Sequence, residues 1–300
     1  MPRLTKDAPE GLKPYLFHNV ELSYSEQSTE ATGTCPFCGR DKLFVSVGEG
    51  LFDCKVCGER GNVYTFIRKL HEVSKERIDS LYAEVAADRG VSEATLARWG
   101  LVRSAIDDEW LLPGYGMKNG INNLYRWSLV KNKRRLLSTA TLSHCLFGIQ
   151  FWDAAKPLAY VCEGPWDGMA MEEALRSVRL NGGKYVRTGD AGMSLYASAN
   201  VVAVPGCDSF KDDWAKPFEG KIVRLSYDGD HPRKHPKTGE LLQPVGLKGM
   251  KSAAELLQSV AKEIEYVEWP SELPDGYDVR DQLNKDEEPD EELGRVTESV

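Results

Sequence analysis

The sequence predicts an α/β protein, α+β overall. It would comprise a small β module, a mixed α+β segment rich in basic residues, and an α/β domain with a mostly parallel sheet. Three observations carry this. Four of the seven cysteines fall in two close pairs near the N-terminus. No Asp or Glu occurs between Trp110 and Trp152. From Pro157 onward, apolar runs of strand length alternate with helical patterns, as in a parallel sheet with crossover helices.

The first module rests on "CPFCGRDKLFVSVGEGLFDCKVCG", in which Cys35, Cys38, Cys54 and Cys57 form C-x2-C, a gap of fifteen residues, and C-x2-C. Zn2+ takes four ligands in a tetrahedron, and two thiolate pairs on tight knuckles supply them. Gly39 and Gly58 follow the second cysteine of each pair, where the backbone must turn back toward sulfur. Between the knuckles, "KLFVSV" and "LFDC" read as strands joined by "GEG". One structural zinc per chain is expected. With every position filled by protein, that ion is not catalytic. Phe44 and Phe52 are candidates for exposed aromatics that stack on unpaired bases. The remaining cysteines, Cys145, Cys162 and Cys207, read as small core residues. With no apolar export signal visible, they do not imply a disulfide framework.

After the ribbon, Val63, Phe66, Ile67 and Leu70 repeat at helical spacing. The charged stretch that follows reads as a linker, and the ribbon as a body on a mobile tether. "VSEATLARWGL" reads as a short helix with Ser92 as N-cap. The acid-free stretch then carries six basic residues, Lys118, Arg126, Lys131, Lys133, Arg134 and Arg135. That pattern predicts a surface that faces phosphates.

In the α/β domain, "PLAYVCEG", "NVVAVPG", "GKIVRLSYDGD" and "EIEYVEW" are the strands. "PWDGMAMEEALRSV" and "MKSAAELLQSVAKE" are helices. Ligands in such sheets gather at the strands' carboxyl ends, where Glu163, Asp228 and Asp230 fall. Asp228 and Asp230, two apart on an extended chain, are expected to project to the same side. Three converging carboxylates repel unless a cation holds them. Hard oxygen donors of this kind suit Mg2+ or Mn2+, in two or more ions, and phosphoryl-transfer chemistry.

These residues carry a resemblance. "EGPWDGMA" (Glu163, Gly164, Asp167) and "DGD" (Asp228, Asp230) resemble the two signature motifs of the TOPRIM domain. The order of four-cysteine ribbon, basic segment and TOPRIM resembles DNA primases of the bacterial and bacteriophage kind, including the primase half of phage primase-helicases. "WLLPGYGMKNGINNLYRWSL" and "DGYDVRDQL" are similar to further segments of that family. The resemblance implies a DNA-dependent RNA polymerase acting on a single-stranded DNA template with NTPs. It implies Glu163, Asp167, Asp228 and Asp230 as catalytic metal ligands, with Asp278 and Asp281 beside them. Arg126 matches an arginine that the family sets against nucleotide phosphates, and Lys131, Lys133, Arg134 and Arg135 lie in the basic stretch beside it. TOPRIM also occurs in nucleases and in a non-catalytic recombination mediator. The mediator type carries a helix-hairpin-helix ahead of its zinc and lacks a basic domain after it.

The domain limits expected are an N-terminal extension (1–32), the ribbon (33–70), a linker (71–90), the basic subdomain of the polymerase core (91–156), TOPRIM (157–285) and an acidic tail (286–300). One departure from the family is "HPRKHPKTGELLQPVGLKG" after the DGD motif, an insertion whose His231 and His235 read as surface residues. Residues 263–300 hold 14 Asp/Glu against 3 Lys/Arg, so the formal charge of −8 conceals a net +3 elsewhere, from 35 basic and 32 acidic side chains. A nucleic-acid partner is therefore compatible with the acidic total. The 300 residues contain no Walker A motif, so a replicative helicase is expected as a partner in cis or in trans. Without an apolar run of about 20 residues, the expectation is no membrane partner and a cytoplasmic location, in a bacterium or a phage-infected cell.

Overall fold

The computed structural model describes residues 7–76, 82–117, 120–130, 133–181, 184–187, 195–283 and 295–298. It divides into two compact units: Met1–Leu81 with Ala97–Cys145, and Tyr82–Leu96 with Leu146–Val300. No helix among the described residues is long and apolar enough to cross a membrane.

The first unit opens with α1 (Lys13–Phe17), then β1 (Leu22–Ser23), β2 (Glu30–Gly33), β3 (Leu43–Ser46), β4 (Phe52–Cys54) and β5 (Arg60–Gly61). These strands form one antiparallel sheet in sequential order. The hairpin between the cysteine pairs is present as expected, and β1 and β2, upstream of the first cysteine, extend it. Asn62 caps α2 (Val63–Lys75), its side-chain oxygen accepting from Thr65 N at 3.2 Å. A second antiparallel sheet follows, in the order β6 (Val102–Arg103), β7 (Trp110–Tyr115), β8 (Ile121–Val130), β9 (Lys133–Leu137).

The apolar stripe of α2 decides how these pieces combine. Phe66, Ile67 and Leu70 are buried in one cluster with Tyr15 of α1, Leu43, Val45 and Phe52 of the ribbon, and Leu111 and Leu124 of the second sheet. Tyr15 and Phe66 have ring centroids 4.7 Å apart, and the Tyr15 hydroxyl donates to Gly50 O at 2.5 Å. The ribbon therefore does not hang on a tether away from the basic sheet. A ribbon this small buries too little apolar surface alone, and α2 recruits the neighbouring sheet to complete its core. Phe52 is likewise a core residue, 2% exposed and edge-on to Phe66, whereas Phe44 is half-buried.

The second unit begins with α3 (Tyr82–Arg89) and α4 (Glu93–Arg98), whose Thr95 N donates to the Ser92 hydroxyl at 3.2 Å. Then come β10 (Leu158–Cys162), α5 (Pro165–Ser177), the hairpin β11 (Val178–Asn181) and β12 (Lys184–Arg187), β13 (Ala199–Ala203) and β14 (Ile222–Ser226). The inserted segment forms a second hairpin, β15 (Arg233–Lys234) and β16 (Leu241–Leu242). It is pinned at its base where Asp275 accepts from His231 N at 2.7 Å and from Arg233 at 2.8 Å. α6 (Val245–Leu257), β17 (Glu263–Glu268), α7 (Val279–Leu283) and β18 (Arg295–Glu298) complete the chain. The main sheet runs β13-β10-β14-β17-β18, parallel except for β18. All five residues of β10 and of β13 are buried, which is why β10 reads as an unbroken apolar run and β13 as one broken only by Asn200.

The shared core of the first unit yields a prediction. Phe66→Ala should cost about 3–5 kcal/mol, the usual loss for a buried aromatic. Zinc release, followed with a chromogenic chelator, and hydrogen exchange of the β7–β8 amides should advance together. A variant that loses zinc while those amides stay protected would show that ribbon and sheet do not share a core.

Candidate metal centres and active site

The four cysteines meet at the edge of the ribbon sheet. Each knuckle is closed by the same bonds: Gly39 N to Cys35 O at 2.8 Å and Gly58 N to Cys54 O at 3.0 Å. Both glycines take the positive φ that the turn demands, 68° and 76°. The sulfurs of Cys35 and Cys57 are 3.8 Å apart, and those of Cys38 and Cys54 are 3.7 Å apart. A tetrahedron with Zn–S bonds of ~2.3 Å has edges of about 3.8 Å. The four thiols thus have the spacing of a structural zinc site.

The acidic centre is built by the second unit alone. β10 and β14 are adjacent and parallel, with Cys162 opposite Ser226. Both chains therefore leave the sheet side by side. Glu163 N donates to Ser226 O, and Asp228 N donates to Glu163 Oε2, each at 3.2 Å. Asp167 enters from the first turn of α5. A Cβ at Gly164 would lie 2.8 Å from Asp167 Oδ2, so only glycine permits this approach. Asp278 enters from the segment before α7, which is stitched to the DGD motif where Gly229 N donates to Tyr277 O at 2.8 Å.

One oxygen from each of Asp167, Asp228 and Asp278 falls within 4.8 Å of the others. This is the tight group, and the sequence had ranked Asp278 below Glu163 and Asp230. Asp228 and Asp230 make different contacts: Asp228 joins the trio, while Asp230 Oδ2 accepts from Gly246 N at the start of α6 at 2.9 Å. A Cβ at Gly246 would meet Asp228 O at 2.7 Å and Glu163 Oε2 at 3.0 Å, so the second residue of α6 is a glycine for lack of room. Asp281 caps α7. Its Oδ2 accepts from Asp278 N at 3.2 Å, and Asp278 Oδ1 accepts from Asp281 N at 3.1 Å.

Burial, then neighbouring charge, sets the electrostatics. Burial and the charges of Asp167, Glu163 and Asp278 push Asp228 up to about 9. Burial and the charges of Asp230, Asp167 and Asp208 push Glu163 up to about 7. Burial raises Asp167 to about 6 against the opposing pull of Arg280. Carboxylates displaced this way need a cation to be ionised together, and an all-oxygen donor set fits Mg2+ or Mn2+.

Two participants escaped the sequence reading. Asp208 follows β13, and its charge acts on Glu163; the rule of acids at strand carboxyl ends would have found it. Arg280, inside "DVRDQL", grips the centre directly and carried no comparable signal.

The basic residues lie in the first unit. Arg126 on β8 is 7% exposed. It pairs with Asp107 at 2.8 Å and donates to Phe17 O. The acid-free stretch thus draws its counter-ion from just outside itself. Arg126 also lines a cavity of about 390 Å3 with Phe17, Asp107, Glu109, Leu129 and Arg134. Lys133, Arg134 and Arg135 are exposed on the edge strand β9, and the Arg134 guanidinium lies 4.7 Å from the Trp127 ring centre. Lys131 lies outside the described residues.

A carboxyl whose folded pKa lies above its ordinary value holds its proton more tightly in the folded state. The stability it confers is full below its ordinary value of 3.8 and is lost as pH rises toward 9. Zinc-loaded protein without magnesium should therefore melt progressively lower from about pH 4 to about pH 9, most steeply up to about pH 6, where Asp167 and Asp228 both contribute. Mg2+ should restore the loss. Asp228→Asn should flatten the slope and match or exceed the parent's melting temperature at the alkaline end. A variant that melts lower without Mg2+ would show that the carboxylate is structural.

No family model matches the sequence, and no curated protein matches it significantly. Solved structures do. The zinc-binding and RNA polymerase domains of the Aquifex aeolicus primase align with a TM-score of 0.50 and 15% identity, over 93% of this chain and 80% of that one. A DnaG catalytic core aligns at 0.49 with 16% identity over 74% of each chain. The primase fragment of the bacteriophage T7 primase-helicase aligns at 0.44 with 18% identity, over 83% of this chain and 93% of that one. The four-cysteine ribbon, the antiparallel basic sheet and the parallel sheet with its acidic centre together make a zinc ribbon plus TOPRIM fold, the fold that aligns with the zinc-binding and RNA polymerase domains of the Aquifex aeolicus primase.

Proposed function

We propose that this protein is a DNA primase, a DNA-dependent RNA polymerase that synthesises short RNA primers on single-stranded DNA. The observation that carries this reading is the acidic centre, with Asp167, Asp228 and Asp278 gathered at strand carboxyl ends in a primase fold. A TOPRIM nuclease would need neither the ribbon nor the basic sheet.

In this reading Asp228, Glu163 and Asp230, with Asp167 and Asp278 closing the other side of the centre, hold two or more Mg2+ or Mn2+ ions. Bound there, such ions supply positive charge that activates a 3′-hydroxyl and stabilises leaving pyrophosphate. The protein's own part is positioning. The parallel register of β10 and β14 and the glycines at 164 and 246 keep the carboxylates converged with no side chain in the way. Lys133, Arg134 and Arg135 meet phosphates of template or NTP from the exposed edge of β9. Arg126 and Arg134 share a cavity in which a nucleotide phosphate would take the place of Asp107. The ribbon reads unpaired template bases, with Phe44 as its stacking surface. A replicative helicase, in cis or in trans, delivers the single strand.

The test is direct. Purified protein with single-stranded DNA, NTPs and Mg2+ should yield labelled oligoribonucleotides, and Asp228→Asn should reduce them by at least about a hundredfold with the fold intact. Absence of product from the parent on every template tried would overturn the assignment.

Binding to single-stranded DNA should weaken with salt, because phosphate contacts release counterions. Replacing Lys133, Arg134 and Arg135 with Ala should flatten that dependence. An unchanged slope would remove the β9 edge from the template path.

A further inference from the structure

The acidic trio already holds a cation of its own. Arg280 Nε donates to Asp167 Oδ1 at 2.7 Å, and Nη2 of the same guanidinium donates to Asp278 Oδ2. Its backbone N donates to Asp278 Oδ1 at 2.7 Å, which fixes the base of the side chain. Asp167 and Asp278 are 7% and 5% exposed. Among the described residues no hydrogen bond reaches the Asp228 carboxylate, the third member of the group. A planar fork bridging two buried carboxylates is the strongest geometry an arginine offers, and a lysine cannot reproduce it.

The charges show what this does. Three carboxylates and one guanidinium sum to −2, the charge that one divalent ion neutralises. Without Arg280 the same group carries −3, and the Asp167–Asp278 edge lies open to a metal. We propose that Arg280 is a resident cation occupying the Asp167–Asp278 edge of the acidic centre, so that divalent metal is confined to the side of Asp228, Glu163 and Asp230. Arg280 is thus a positioning residue. It sets how many ions the centre takes and which carboxylates they meet, and it keeps the centre assembled between metal-loading events. The proposal rests on the reading of this centre as a divalent-metal site.

The experiment counts bound Mn2+ by electron paramagnetic resonance on zinc-loaded protein and records melting with and without Mn2+. Arg280→Gln should bind one more Mn2+ than the parent, or bind Mn2+ about tenfold more tightly. It should melt lower than the parent in metal-free buffer and recover on Mn2+ addition. Arg280→Lys, which keeps the charge but grips one carboxylate at a time, should fall between the two. It also serves as the test if Arg280→Gln does not fold. Parent-like Mn2+ number and affinity in the folded variants would overturn the proposal, as would an equal fall in melting temperature with and without Mn2+. A parent that binds no Mn2+ at this centre would instead overturn the metal-site reading itself.

Discussion

Mutual repulsion of carboxylates taken out of water is the constraint around which the second unit is organised. Asp228 is pushed up to about 9, by burial first and by the charges of Asp167, Glu163 and Asp278 after it. Such a group persists only where the surrounding structure leaves it no alternative and a cation is at hand. Each structural detail near the centre serves one of those two ends. The in-register parallel pair of β10 and β14 places Glu163 and Asp228 together. The Gly229–Tyr277 bridge brings Asp278 to them across almost fifty residues. Gly164 and Gly246 give way at the two places where a side chain would collide. Arg280 supplies a positive charge to Asp167 and Asp278.

The first unit meets a different shortage. The ribbon is too small to be stable by burial alone. It draws on a zinc site for cross-linking and on α1, α2 and the β6–β9 sheet for apolar contact. As a result, the ribbon expected to read template bases shares one core with strands β6 to β8 of the sheet whose edge strand is expected to bind phosphates. A perturbation in one is felt in the other, because close-packed interiors transmit strain. The inserted hairpin illustrates the same economy on a small scale: two bonds to Asp275 hold its base where Asp230 ends the DGD motif.

Much of this was legible in the residues. The thiol spacing implied the zinc site and its hairpin, because tetrahedral coordination leaves few arrangements open. The alternation from Pro157 implied a parallel sheet, and acids at strand ends implied the metal centre. Other features were not legible. Phe52 looked like a candidate for stacking until the packing of α2 buried it. Nor does the run of basic residues show what Arg126 pairs with. In space, Asp107 reaches it from outside the acid-free stretch.

The sequence by itself determined the chemistry available: four thiols for zinc, hard oxygen donors for a divalent ion, and a basic strand for phosphates. Those follow from residue type and short-range spacing, which local geometry converts directly into position. Tertiary structure alone decided which groups share a site. Asp278 joined Asp167 and Asp228, Asp281 turned back to hold Asp278 at the start of α7, and Arg280 bridged two carboxylates. The physical reason is that convergence of distant segments depends on strand register and on close glycine contacts. Those are settled by the packing of the whole unit, and no short stretch of sequence encodes them.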